Sequence, residues 1–81
     1  MTRYYFDLRD GDNVVPDEEG LELYDIEAVR TEAAYALTDL ARDVIRAKLI
    51  SGGTRDLAVE VRDDHGPVML ARFQFEIQRL H

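Results

Sequence analysis

A chain of 81 residues has room for one domain with one small core, near the size at which a single layer of burial just suffices. With 46% hydrophobic and 33% charged residues it belongs to the globular rather than the disordered class. The absence of cysteine excludes a disulfide framework and thiolate metal sites. A net charge of −7 argues against binding to a phosphate backbone, which draws its affinity from clustered cations. The candidates for a basic face, Arg42, Arg46, Lys48 and Arg55 around the helix end, are diluted by Asp39, Asp43 and Asp56. No N-terminal basic and apolar leader is recognisable, and no apolar stretch approaches the roughly 20 residues that span a bilayer. A cytoplasmic location without membrane contact is the expectation.

Residues 3–9 alternate, with Tyr4, Phe6 and Leu8 on one side and Tyr5, Asp7 and Arg9 on the other, which predicts a first strand. Asp10-Gly11-Asp12-Asn13 reverses the chain, and Val14-Val15 begins a short return strand that Pro16 can close only at an edge. Asp17-Glu18-Glu19-Gly20 forms a second turn. Leu21-Glu22-Leu23-Tyr24 either resumes the strand or leads, extended, into a helix. From Asp25, the expected N-cap, to about Ile50, the apolar residues Ile26, Val29, Ala33, Leu37, Leu40 and Val44 recur at helical spacing. A hydrophobic staple between Tyr24 and Val29 would fix the start, and Ser51-Gly52-Gly53 would end the helix.

Leu57, Val59 and Val61 alternate with Ala58, Glu60 and Arg62 to give a third strand. Asp63-Asp64-His65-Gly66 forms a hairpin tip. The fourth strand, from about Val68 to Ile77, sets Met69, Ala71, Phe73, Phe75 and Ile77 against Arg72, Gln74 and Glu76. The expected fold is therefore a single α+β domain over residues 1–81, in the order strand-strand-helix-strand-strand. One long helix packs on one face of a mainly antiparallel four-stranded sheet.

A helix of about 26 residues is roughly 39 Å long, against roughly 27 Å for strands of about 8 residues, so its last turns are expected to overhang the sheet. Tyr35, Ile45 and Leu49 fall outside the core stripe and are the candidate interaction residues, forming the seam of a homodimer. Open sheet edges reinforce that expectation.

The remaining clusters have ordinary explanations. Asp10, Asp12, Asp17, Glu18, Glu19 and Glu22 offer oxygen donors, but the spacing of a calcium loop is absent, and they read as solvated turn residues. His65 beside Asp63 and Asp64 sits at a hairpin tip without a water-excluding pocket. Ser51 lacks a nucleophile elbow. Gly52-Gly53-Thr54 follows a helix, the reverse of a phosphate-cradling loop. On the uncovered sheet face Tyr5, Asp7, Arg9, Glu60, Arg62, Arg72 and Gln74 interleave opposite charges, which predicts cross-strand pairing rather than base stacking. No catalytic residue, cofactor site or metal site is expected.

The opening Arg3-Tyr4-Tyr5-Phe6-Asp7-Leu8-Arg9-Asp10-Gly11, followed by Pro16-Asp17-Glu18-Glu19-Gly20, Glu22-Leu23, Asp25 and the alanines at 28, 33, 34 and 36, resembles a family of small alphaproteobacterial, rhizobial-type proteins. That family is classified as a domain of unknown function, and the resemblance covers nearly the whole chain. It implies the fold and brings no site residues with it. A weaker similarity over the first half is to HicB-type antitoxin domains, which share a Tyr-rich first strand and an acidic turn before an alanine-rich helix. Their C-terminal DNA-binding segment has no counterpart here. The leading expectation is a non-enzymatic interaction or structural module working as a homodimer or with a protein partner. The alternative is an antitoxin-like or nucleic-acid-associated regulator.

Overall fold

The computed structural model of the protein describes residues 1–47 and 53–81. In chain order it comprises β1 (Thr2–Asp10), β2 (Asn13–Val15), β3 (Leu21–Leu23), α1 (Ile26–Arg46), β4 (Gly53–Asp63) and β5 (Gly66–Ile77). Every strand pairing is antiparallel, and the sheet runs β2-β1-β4-β5 with β3 also joined to β1. The α+β layer expected from the alternation is present, with five strands rather than four. The extra one is Leu21–Leu23, which pairs with Thr2–Tyr4. β2 and β3 follow one another along β1, each three residues long, and Pro16–Gly20 bulges away between them.

Asp25 caps the helix as its sequence position predicts: its backbone is extended and its Oδ1 accepts the Ala28 N–H at 2.9 Å, satisfying one of the amides that a first turn leaves open. The staple does not form, because Tyr24 is 86% exposed while Val29 is fully buried. The helix is also shorter than its periodicity implied. It ends at Arg46, with Ala47 as C-cap donating its N–H to the Asp43 carbonyl at 3.0 Å. The expected stop at Ser51-Gly52 lies outside the described residues.

One face of α1 covers the centre of the sheet. Val29 and Ala33 meet Val59 and Val61, with Tyr4, Phe6, Leu8, Met69 and Ala71 packed around them. Further along, Ala41 and Val44 meet Leu57, flanked by Leu37, Leu40 and Phe75. The fully buried Leu57, Val29, Val59 and Val61 each contribute about 1.5–3 kcal/mol of apolar burial. The two buried alanines of α1, Ala33 and Ala41, carry no bulk beyond Cβ, so the helix backbone can lie close over β4. Ile26, expected in the core stripe, is exposed at the first helical position, and Ala41 takes a core place instead.

The length relation is the reverse of the expected one. The helix has 21 residues and is about 32 Å long, whereas β4 and β5 have 11 and 12 residues and reach about 36 and 40 Å. Polar residues at the start of β4 concealed its true length, since Arg55 faces the helix side yet pairs with Asp10 at 2.9 Å. The sheet, not the helix, therefore projects, and the molecule is 52 Å long and 21 × 19 Å across. Phe73 and Ile77, on the helix side of β5, remain 41% and 50% exposed.

Candidate functional site

Three surfaces of the sheet carry the side chains that could do chemical or binding work: the bulge beside β1, the face opposite α1, and the outer edge of β5. At the bulge, the side chain of Asp17 takes the place of missing backbone. Its Oδ2 accepts the Phe6 N–H at 3.1 Å, and its Oδ1 accepts the Glu19 and Gly20 N–H groups at 3.1 and 3.2 Å. Its own N–H donates to Asp7 Oδ1 at 2.8 Å. Arg62 closes the cluster from β4, donating from Nε to Asp7 Oδ2 at 2.8 Å and from Nη2 to the Asp17 carbonyl at 3.0 Å. Its guanidinium lies 4.5 Å from the centre of the Tyr5 ring, a cation–π contact.

Partial burial pushes the Asp17 carboxyl upward, but the amides of Phe6, Gly20 and Glu19 and the charge of Arg62 outweigh it and leave the pKa below the ordinary carboxylate value. The hydrogen bond to Asp7 holds Arg62 more firmly protonated than usual and outweighs the opposing effect of desolvation, with the charges of Asp7 and Asp17 adding to it. Gly20 completes the bulge at φ +73, where a Cβ would meet Arg3 Cγ and Tyr5 Cε1 at 2.9 Å and the Tyr4 carbonyl at 3.0 Å. Both carboxylates are engaged by donors of the chain itself. The cluster is a clasp that holds the irregular edge in register.

The other acidic residues of this region disperse. Asp10 pairs with Arg55, and Glu22 lies 3.9 Å from Arg3. Among the described residues no three His, Asp or Glu side chains converge as metal ligands. His65 is exposed at the β4–β5 turn, where its backbone N–H bonds Asp63 Oδ1 at 2.8 Å.

On the face opposite α1, the interleaved charges pair across strands as the alternation predicts. Arg9 meets Glu60 at 3.0 Å, and Arg72 meets Asp56 at 3.2 Å with Gln74 3.3 Å from the same carboxylate. Such exposed pairs contribute at most about 1 kcal/mol each. They frame a shallow dent of about 370 Å³ bordered by Arg9, Ala58, Glu60, Val68, Leu70 and Arg72. Small Ala58 makes the depression, and Leu70 stands exposed at its rim.

The two edges of the sheet differ. One is broken into two three-residue strands by Pro16–Gly20 and carries acidic side chains, devices that discourage further strand pairing. The other is β5, a strand of 12 residues with Pro67 and the register shift against β4, which leaves Val68 without a partner there, both confined to its start. Among the described residues no strand pairs with its outer side. Phe73 and Phe75 lie side by side along it, ring centres 5.4 Å apart.

Of the interaction residues expected from sequence, Tyr35 and Ile45 are 64% and 55% exposed on the flank of α1, and Leu49 lies outside the described residues. Sequence reasoning missed Arg72, Gln74 and Glu76 as edge residues, because alternation assigns a face and not a position in the sheet.

No helix among the described residues is long and apolar enough to cross a membrane. Comparison with known proteins finds no curated protein and no solved structure that matches the chain. The model of one family, described as Domain of unknown function (DUF6894), matches residues 3–74, from the first strand through Gln74 of β5. The match takes in the clasp, the whole of α1 and most of the β4–β5 hairpin, and the chain belongs to that family.

Proposed function

We propose that this protein is a non-enzymatic interaction or structural module of the cytoplasm, acting as a homodimer or with a protein partner. The observation that carries this reading is the contrast between the sheet edges: one broken by short strands, proline and acid, the other a 12-residue strand whose outer side has no neighbour among the described residues. An open, partly apolar edge of that length is a template for a further strand. Tyr35 and Ile45, exposed on the flank of α1, offer a second surface for the same role, with Leu49 as their expected extension. The antitoxin-like or nucleic-acid-associated alternative needs cations free to meet phosphates, and the pairing of Arg9, Arg62 and Arg72 with carboxylates works against it.

Size-exclusion chromatography with light scattering tests the proposal, run alongside affinity capture from cells that make the protein. The expected result is a mass of two chains at tens of micromolar, or stable recovery of one protein partner. A monomer at that concentration with nothing captured would overturn it, and retention on duplex DNA at physiological salt would favour the alternative.

A further inference from the structure

Resting on the interaction-module reading, we infer that the outer edge of β5 pairs antiparallel with the same edge of a second copy of this chain, about a two-fold axis through Gln74. The argument is the self-complementarity of one register. In an antiparallel pairing centred on Gln74, Arg72 faces Glu76 of the second copy and Glu76 faces its Arg72. Phe73 faces Phe75, and Ala71 faces Ile77. Opposite charges and aromatic pairs directly across a ladder are the favourable cross-strand combinations.

Neighbouring registers lack this match: an axis through Phe75 would leave Arg72 opposite Gln78 and Glu76 opposite Gln74. An axis through Arg72 would set two arginines against each other and bring Pro67, which has no N–H to give, opposite Ile77. An axis through Phe73 would oppose Glu76 with Leu70. The Gln74 register confines the ladder to Ala71–Ile77, clear of Pro67.

The same register explains what the single chain leaves exposed. A two-fold perpendicular to the sheet places both helices on one face of a continuous layer. Phe73 and Ile77, which lie on the helix side of β5 and are 41% and 50% exposed, then face Phe75 and Ala71 of the second copy in the space between the two helices. The opposite face carries Arg72, Gln74 and Glu76, with Arg72 shared between Asp56 of its own chain, 3.2 Å away, and Glu76 of the second copy.

Two single substitutions and their mixture test the pairing by sedimentation velocity over a range of concentrations, with circular dichroism confirming that each variant folds. Arg72→Glu and Glu76→Arg each convert two symmetry-related attractions into repulsions, and each is expected to weaken self-association by at least about tenfold. Glu76→Arg leaves Asp56, which binds Arg72, untouched and so serves where Arg72→Glu disturbs the fold. An equal mixture of the two variants is expected to restore the dimer, because both facing pairs are then of opposite charge. Wild-type dimers that neither variant weakens, or loss without restoration in the mixture, would overturn the β5 pairing while leaving the module reading in place. A wild-type chain that stays monomeric at high concentration would overturn the self-pairing, and the module reading would fall as well if affinity capture recovered no partner.

Discussion

Replacing Asp17 by asparagine keeps the shape of the side chain and removes one of the two acceptors on which the bulge depends. The carboxylate serves the Phe6 amide with one oxygen and the Glu19 and Gly20 amides with the other. An asparagine offers a single oxygen, and its NH₂ must confront an N–H on the other side. If the oxygen turns to the exposed turn amides, the half-buried Phe6 N–H of β1 is orphaned at a cost of about 1–3 kcal/mol. Loss of the charge facing Arg62 adds at most about 1 kcal/mol at this partly exposed position. The expected loss is thus about 2 kcal/mol, a large share of the roughly 4–12 kcal/mol available to a domain of this size. It should appear as a fall in Tm of roughly 8–16 °C and as a lower urea midpoint at unchanged m-value. A loss below about 0.5 kcal/mol would refute the assignment of Asp17 as a backbone substitute.

The same group makes a pH prediction. Because the folded-state pKa of Asp17 is lowered, its contribution is complete above the unfolded value of about 4 and disappears as pH falls through the folded value. The stability gap between wild type and Asp17→Asn should therefore be full at neutral pH and close towards strongly acidic pH, as read from urea titrations at each pH. A gap that widens on acidification would contradict the sign. At Gly20, alanine meets both a positive φ and contacts of 2.9–3.0 Å, whereas at Gly11 it meets φ +59 with no atom within 4 Å. Gly20→Ala should consequently cost more than the about 1–2 kcal/mol expected of Gly11→Ala, and equal thermal shifts for the two would argue against a tight bulge.

Much of this architecture is legible in the sequence because burial imposes a period. The alternation of Leu57, Val59 and Val61 and the helical spacing of Val29, Ala33, Leu37 and Val44 place the central strand and its cover, and Asp25 marks the helix start. What escaped was set by contacts distant in sequence. The turn Pro16-Asp17-Glu18-Glu19-Gly20 shows a local signal, an aspartate before two amides it can bind, yet the bond from Asp17 to Phe6 spans 11 residues and no local pattern announces it. Leu21–Leu23 is too short to display a period and becomes a strand only because Thr2–Tyr4 lies beside it. The apolar alternation of β4 marks only part of the strand, because Arg55 and Asp56 break it with side chains satisfied by Asp10, Arg72 and Gln74. Strand order, and with it the edge position of β5, follows from tertiary pairing alone.

The function proposed for this chain depends on the outer edge of β5 being an interface. Its most direct test is a nuclear Overhauser experiment on an equal mixture of isotope-labelled and unlabelled protein, filtered to record only contacts between different chains. The expected result is a set of intermolecular contacts between the Phe73 and Phe75 rings and between Ala71 and Ile77, centred on Gln74. Intermolecular contacts confined to Tyr35 and Ile45 on the helix flank, or none at concentrations where two chains associate, would contradict it.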